Sequence, residues 1–169
     1  RALSQVLGPA LSAAGPKRSA AATERPLEGL RILLAEDNPV NQKVARRLLE
    51  TLGCRVDAAA NGAEAVEAVR RFTYDLVLMD CHMPELDGYE ATQRIRARER
   101  EVGGQHVPVV ALTASVLEAD RSRARQVGMD AFLAKPAKPE DLRQVISQLC
   151  RGEDAAARAL PRSRSGCHA

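Results

Sequence analysis

The feature of this sequence that most constrains its fold is a fivefold alternation between short apolar runs and longer amphipathic segments. Residues 32–34, 76–79 and 109–112 are apolar throughout, which is typical of strands covered on both faces. The segments that follow such runs carry apolar residues at helical spacing. Alternating strands and helices favour a parallel sheet with helices on both sides, so we expect an α/β fold.

The predicted elements run from residue 30 to residue 150. Pro39 at the first turn and Gly53 just after the last turn mark the bounds of the first helix. The core must be mainly aliphatic, because the chain has no Trp, two Tyr and two Phe. The predicted strands are 30–35, 55–59, 76–79, 107–112 and 131–134, and the predicted helices are 39–52, 62–72, 88–98, 117–127 and 139–149.

The two ends of the chain differ in composition from this middle part. Residues 1–29 are rich in Ala, Ser, Pro and Gly and are predicted to form a largely disordered interdomain linker. Residues 151–169 lack an apolar face and are predicted to form a disordered tail. Residues 30–150 are therefore expected to form the one folded domain. Because the sequence starts at Arg1 and not at Met, we expect it to be a piece of a longer protein.

Charge and cysteine content exclude several classes of function. The net charge is +3, but each of the two tails holds four basic and two acidic residues, and neither interleaves aromatic with basic residues. We therefore expect no nucleic-acid binding. No stretch of about 18 apolar residues is present, so we expect no membrane contact by this piece. Four cysteines without C-x-x-C spacing fit a reducing compartment, and we expect the cytoplasm.

Polar side chains of complementary chemistry follow the predicted strands. Glu36 and Asp37 come after the first strand, Asp80 after the third, Thr113 after the fourth and Lys135 after the fifth. In sheets of this type the binding site lies beyond the carboxyl ends of the strands. We therefore expect these five side chains to meet at one edge of the sheet.

This set of side chains indicates phosphoryl transfer. Three neighbouring carboxylates repel one another unless a cation lies among them. Ligands that are all oxygen suit Mg²⁺, which also binds phosphate oxygens. The Lys135 ammonium and the Thr113 hydroxyl can bind further phosphoryl oxygens. Asp80 is the predicted nucleophile and would form an aspartyl phosphate.

Four motifs, in this order and at this spacing, resemble the receiver domains of two-component response regulators. They are AEDN at 35–38, LMDCHMPELDGYEA at 78–91, ALTAS at 111–115 and FLAKP at 132–136. The likeness extends from Arg31 to Cys150. It implies a flavodoxin-like (βα)5 three-layer sandwich whose parallel strands have the order 2-1-3-4-5.

The resemblance also implies a role for the residues of the acidic cluster. Asp80 aligns with the phosphoacceptor and Asp37 with the direct metal ligand. Glu36 aligns with the partner of that ligand, a position where Asp is commoner. The backbone carbonyl of His82 is implied to be a further Mg²⁺ ligand, and its imidazole a bystander.

Three other positions are implied to respond to phosphorylation. Thr113 aligns with the hydroxyl that senses the phosphoryl group, and Phe132 with the aromatic residue that swings inward afterwards. Lys135 aligns with the lysine that contacts the phosphoryl group. The bond between Lys135 and Pro136 resembles a cis peptide that orients this lysine.

Other functions of the same fold fit the sequence less well. A flavin-binding module needs a loop rich in hydroxyls and glycine after the first strand, where this chain has EDNP at 36–39. An aspartate-nucleophile phosphatase carries a second acid two residues after the nucleophile, where this chain has His82. A binding module that is never phosphorylated would not need the full set of site side chains.

The longer segments LAEDNPVNQKVARRLLETLG and MDCHMPELDGYEATQRIR resemble receivers at the C-terminus of hybrid sensor histidine kinases. This implies a phosphohistidine donor domain and a histidine phosphotransfer protein as partners, the latter docking near Asn41 and Val44. The piece itself would catalyse only its own phosphorylation and dephosphorylation. The kinase activity would belong to the parent, which could be anchored in the inner membrane. The alternative is a stand-alone single-domain response regulator that acts by protein–protein interaction.

Overall fold

The computed structural model describes residues 27–115 and 117–150, which form five strands and five helices in strict alternation. The strands are β1 (Arg31–Ala35), β2 (Arg55–Ala59), β3 (Leu76–Asp80), β4 (Val109–Thr113) and β5 (Ala131–Ala134). The helices are α1 (Pro39–Thr51), α2 (Gly62–Arg71), α3 (Gly88–Val102), α4 (Glu118–Val127) and α5 (Pro139–Cys150). None of the helices within these residues is long and apolar enough to cross a membrane.

All five strands lie in one parallel sheet with the order β2-β1-β3-β4-β5. This is the predicted order, and it confirms the α/β fold. The order reverses between β1 and β3, so the loops after these two strands diverge and leave a crevice at the carboxyl edge of the sheet. The fold therefore provides a crevice at the edge of the sheet where the sequence analysis predicted a site.

Two cores fill the two faces of the sheet and confirm the three-layer sandwich. Successive residues of β1 point to opposite faces. Leu33 lies in the core covered by α2, α3 and α4, and Ile32 lies in the core covered by α1 and α5. The helix residues in these cores include Ala65, Ile95 and Ala124 on the first face and Leu49, Leu142 and Ile146 on the second. Each fully buried Leu or Ile contributes about 1.5–3 kcal/mol relative to exposure.

Two predicted boundaries were wrong by more than one residue, and the others agree with the structure to within one residue. α3 continues to Val102, one turn beyond residue 98, because no helix-stopping residue occurs before Gly103. Gly103 has φ 57°, the left-handed conformation that commonly ends a helix. β4 begins at Val109 and not at residue 107, because Pro108 has no backbone N–H to donate to a neighbouring strand.

The described chain begins just before β1. Leu27 packs into the core beside α1 and α5, and the backbone N–H of Gly29 donates to the carbonyl of Gly53 at 2.9 Å. The rest of the predicted linker, residues 1–26, and the predicted tail, residues 151–169, lie outside the described residues.

Candidate functional site

The register of the sheet brings the predicted site residues to one level. Ala35, the last residue of β1, pairs with Met79 of β3. The residues that follow these two in the sequence, Glu36 and Asp80, are therefore neighbours. Across β4 and β5, Thr113 pairs with Ala134, which immediately precedes Lys135. The sequence analysis placed these side chains at strand ends, and the parallel register sets them in one row.

Lys135 joins the two buried acids of this row. Its Nζ atom lies 2.6 Å from Oε2 of Glu36 and 2.7 Å from Oδ2 of Asp80. Both carboxylates are almost completely buried, while the lysine side chain is 23% exposed. The other oxygen of Asp80, Oδ1, accepts from the backbone N–H of His82 at 3.1 Å. Both oxygens of the predicted nucleophile therefore have partners.

Burial and neighbouring charges shift the pKa values of Asp80 and Lys135 in opposite directions. Burial raises the pKa of Asp80 above its usual range, and the bond to Lys135 only partly opposes this. Burial alone would lower the pKa of Lys135, but its bonds to Asp80 and Glu36 outweigh that effect and raise the pKa. The lysine therefore stays charged, and a further cation would stabilise the ionised form of Asp80.

A third carboxylate completes an acidic cluster. Glu36, Asp37 and Asp80 each offer an oxygen, and the three oxygens lie within 4.8 Å of one another. Glu36 and Asp80 are buried, whereas Asp37 is exposed to solvent. With all three ionised, the single charge of Lys135 leaves an excess of negative charge. Hard oxygen ligands with one side open to water are the donor set that Mg²⁺ prefers, so these residues fit the predicted ion.

The start of α1 fixes the orientation of Glu36, a function that the sequence analysis missed. Oε1 of Glu36 accepts from Nδ2 of Asn41 at 3.1 Å and from the backbone N–H of Asn38 at 3.4 Å. Nε2 of Gln42 donates to the backbone carbonyls of Glu36 and Ala59. Asn38 also caps α1 through its side chain. The only sequence signal for this arrangement was the Asn-Pro pair that marks the helix start.

The loop after β3 depends on a glycine. The backbone N–H of Gly88 donates to the carbonyl of Cys81 at 3.1 Å. A Cβ atom at position 88 would overlap the backbone carbonyl of Asp80. Asp87 caps α3 by accepting from the backbone N–H of Glu90. The Asp-Gly pair therefore closes the loop beneath the predicted nucleophile.

Of the three residues predicted to respond to phosphorylation, Thr113 and Phe132 do not bond through their side chains to the acidic cluster, whereas Lys135 does. The hydroxyl of Thr113 donates to the backbone carbonyl of Ser115 at 2.7 Å and accepts from its N–H at 3.1 Å. The backbone N–H of Lys135 donates to the backbone carbonyl of Thr113 at 2.8 Å, but within residues 27–115 and 117–150 no hydrogen bond joins the Thr113 hydroxyl to Asp80 or Lys135. Phe132 is half-buried against the core of the α2–α4 face. The bond between Lys135 and Pro136 is cis, as the resemblance implied.

His82 places its side chain in solvent beside the cluster. Its ring meets the ring of Tyr89 edge-on, with 6.3 Å between centroids. Its backbone N–H, and not its imidazole, contacts Asp80.

A shallow groove of about 450 Å³ runs from the cluster along α1. It meets the acidic site at Glu36 and Lys135, and its other lining residues include Asn41, Val44, Leu48, Leu112, Pro136 and Ala137. Val44, which the sequence analysis assigned to partner binding, is 57% exposed. The side chain of Asn41, assigned to the same surface, bonds to Glu36. An apolar surface therefore adjoins the predicted chemical site.

Comparison with known proteins identifies a family over most of the chain. The sequence model of the family described as "Response regulator receiver domain" matches residues 32–147. "Probable histidine kinase 2" of Oryza sativa subsp. indica is 39% identical over 145 residues, a match that covers 78% of this chain and 14% of that protein. The chain thus spans a small part of the length of such relatives.

Solved structures of receiver domains share the fold and part of the sequence. The receiver domain of sensor histidine kinase PA1611 from Pseudomonas aeruginosa PAO1, with a magnesium ion coordinated in its active-site cleft, is 47% identical. That match has a TM-score of 0.65 and covers 72% of this chain and 97% of the other. The receiver domain of Ssk1 from Saccharomyces cerevisiae, solved with the histidine phosphotransfer protein Ypd1, is 30% identical, with a TM-score of 0.70 over 80% of this chain and 95% of the other.

Proposed function

Because the chain belongs to the family of response regulator receiver domains of two-component signalling, we propose that its Asp80 accepts a phosphoryl group from a phosphohistidine in a Mg²⁺-dependent reaction. The observation that carries this proposal is the convergence of Glu36, Asp37 and Asp80 beside the Lys135 ammonium. The test is to incubate the protein with acetyl phosphate and Mg²⁺ and to measure its intact mass. We expect one added phosphoryl group, and none when EDTA removes the ion.

The chain's own residues perform most of the transfer. A carboxylate oxygen of Asp80 attacks phosphorus, the bond from phosphorus to the donor's imidazole nitrogen breaks, and the electron pair stays on that nitrogen. Lys135, which lies 2.7 Å from Asp80, places its positive charge where the phosphoryl oxygens arrive. Glu36, Asp37, Asp80 and the backbone carbonyl of His82 would hold Mg²⁺, which would supply further positive charge to those oxygens.

Thr113 and Phe132 then report the new charge. An aspartyl phosphate adds about −1.5 to −2 charges beside Lys135. The hydroxyl of Thr113 donates to a phosphoryl oxygen only after it leaves the carbonyl of Ser115, its present acceptor. That movement alters the turn before α4 and makes room for the ring of Phe132 to turn inward.

The charge excess of the acidic cluster leads to a prediction about Mg²⁺. We expect MgCl₂ to raise the thermal unfolding temperature, because an ion that binds only the folded state stabilises it, by about 2.7 kcal/mol at one hundred times its dissociation constant. Asp37→Asn should weaken Mg²⁺ binding about tenfold or more, because it removes a charged oxygen ligand. A titration of the unfolding temperature against MgCl₂ measures both effects.

The matched control for that titration is Asp141→Asn, which removes an exposed acid from the first turn of α5, outside the cluster. This variant should bind Mg²⁺ with the same affinity as the unsubstituted chain. Equal Mg²⁺ dependence of the Asp37 and Asp141 variants would exclude Asp37 as a ligand.

We further infer that the parent protein is a hybrid sensor histidine kinase, in which the phosphoryl group arrives from an upstream phosphohistidine and leaves to a histidine phosphotransfer protein. The similarity to the probable histidine kinase 2 of rice supports the inference that the full-length protein is a histidine kinase. The complex of the Ssk1 receiver domain with Ypd1 supports a histidine phosphotransfer protein as the acceptor. Sequencing of the full-length gene tests whether this chain is part of a hybrid sensor histidine kinase. Absence of a dimerisation-histidine and ATP-binding region upstream of Arg1 would contradict it.

The groove along α1 is the proposed docking surface for these partners, since it brings an apolar contact to the edge of the acidic site. We expect Val44→Asp to slow transfer from a phosphorylated histidine phosphotransfer protein about tenfold or more, because a charge in the centre of an apolar interface remains unpaired. Labelling by acetyl phosphate, which needs no docking, should keep its rate. Transfer assays quenched at successive times measure the rate of transfer from the phosphotransfer protein. Intact mass measures the rate of labelling by acetyl phosphate.

Val102→Asp is the matched control, because this valine of α3 is 61% exposed and lies outside the groove. It should leave both rates unchanged. If Val44→Asp transfers at the rate of Val102→Asp, the partner docks elsewhere.

A further inference from the structure

An arginine of α4 covers the ring that is proposed to move. The guanidinium carbon of Arg121 lies 4.4 Å from the centroid of the Phe132 ring, within the range of a cation–π contact. The Nε atom of Arg121 is buried and has no hydrogen-bond partner among the described residues. The ring of Phe132 is therefore the contact that compensates for burial of this part of the guanidinium.

The register places this covered ring next to the phosphorylation-sensing hydroxyl. Phe132 pairs with Ala111 of β4, and Thr113 follows two residues later on the same face of the sheet. Ala111 presents only a methyl group beside the ring. The path from the present position of Phe132 toward Thr113 is thus bordered by small or movable groups, whereas the outer side of the ring is covered by Arg121.

We propose that Arg121 is a positioning residue that holds Phe132 in its outward position and so sets the affinity of the site for a phosphoryl group, an inference that rests on the proposed phosphorylation of Asp80. Inward rotation of the ring separates it from the guanidinium and leaves the buried Nε without its compensating contact. A phosphoryl group that favours the inward position must therefore overcome this contact, which lowers its apparent affinity. By reciprocity, removal of Arg121 increases that affinity.

A second arginine of the same helix shows that this arrangement is particular to Phe132. Arg123 lies 4.1 Å from the ring centroid of Tyr89, but it also forms an ion pair with Asp87 at 3.6 Å. Tyr89 is buried in α3 and is not part of the sheet. Arg123 therefore joins two helices, while Arg121 contacts the proposed moving part.

The first test measures the affinity for beryllofluoride, a phosphoryl mimic, in the presence of Mg²⁺, by NMR titration. We expect Arg121→Ala to bind it about three- to tenfold more tightly, the factor that a partly desolvated cation–π contact supplies. Arg125→Ala, which removes an exposed arginine of α4 that contacts no ring among the described residues, should bind as the parent chain does. In a Phe132→Leu background, Arg121→Ala should have no effect, because the contact is already absent. Unchanged or weaker binding by Arg121→Ala would overturn the proposal.

The second test is independent of phosphorylation. Aromatic ¹³C relaxation dispersion of Phe132 in the unliganded protein should reveal a larger inward population in Arg121→Ala than in the parent chain, with Arg121→Lys in between. If the unsubstituted chain binds no beryllofluoride, the proposed function fails. The relaxation-dispersion experiment still decides whether Arg121 holds the ring of Phe132 outward. Identical Phe132 populations in all three proteins would exclude that role.

Discussion

Asp80→Asn will abolish phosphorylation by acetyl phosphate and by a phosphohistidine donor while the protein stays folded. The amide nitrogen and oxygen occupy the space of the carboxylate but form no stable bond to phosphorus, so the nucleophile is lost without a change of shape. The stability of the unliganded protein should change little, because the substitution removes a buried charge together with one bond to Lys135. Intact mass after incubation with acetyl phosphate and Mg²⁺ measures the labelling, and circular dichroism verifies the fold.

The control for this variant is Asp87→Asn, which changes another acid of the same loop. Asn is as good a helix cap as Asp, so α3 keeps its start, and labelling should proceed at the rate of the parent chain. Persistent Mg²⁺-dependent labelling of Asp80→Asn would show that another carboxylate is the acceptor, with Asp37 and Glu36 the first to examine by peptide mapping.

The parts of the site that could be predicted from the sequence are those fixed by the backbone. Glu36, Asp80 and Thr113 lie where strands end, and parallel strands in register place their ends together whatever the side-chain conformations. The strand order was implied by the resemblance to receiver domains, which the motifs carry. For the same reason, the wrong end of α3 and the wrong start of β4 did not affect the predicted site, since both lie at the opposite edge of the sheet.

The contacts that could not be predicted depend on side-chain conformation and on residues far apart in sequence. Nothing in the sequence indicates that Lys135 bridges two acids, that Thr113 donates to Ser115, or that Arg121 covers Phe132. From its sequence, a helix with three arginines, as α4 is, would be predicted to form a solvated surface, and only the packing distinguishes the arginines that contact rings. The resting state of the site is therefore a property of the structure.

Before any phosphoryl group arrives, the ammonium of Lys135 bonds to Glu36 and Asp80 and offsets their negative charge. Its ammonium lies within 2.7 Å of two buried carboxylates, and the same ammonium is proposed to contact the phosphoryl group. Phosphorylation would then redirect the lysine from one acceptor to another without moving its backbone. This dual use predicts that the loss of the lysine affects both stability and response.

Lys135→Ala is expected to destabilise the Mg²⁺-free protein by about 3 kcal/mol, because it leaves Glu36 and Asp80 buried without their cation. Mg²⁺ should restore much of this loss, so that the ion stabilises the variant more than it stabilises the parent chain. The variant should still bind Mg²⁺, since all three carboxylates remain. Urea unfolding in EDTA and in MgCl₂ measures these free energies.

The same variant separates metal binding from signalling. Without the ammonium, nothing draws the phosphoryl oxygens toward β5, and beryllofluoride should no longer shift the NMR signals of Phe132. Lys138→Ala removes an exposed lysine three residues away and should match the parent chain in stability and in response. Equal stability of the two lysine variants in EDTA would show that the two buried acids do not need the charge of Lys135. A normal Phe132 response in Lys135→Ala would assign the contact with the phosphoryl group to another residue.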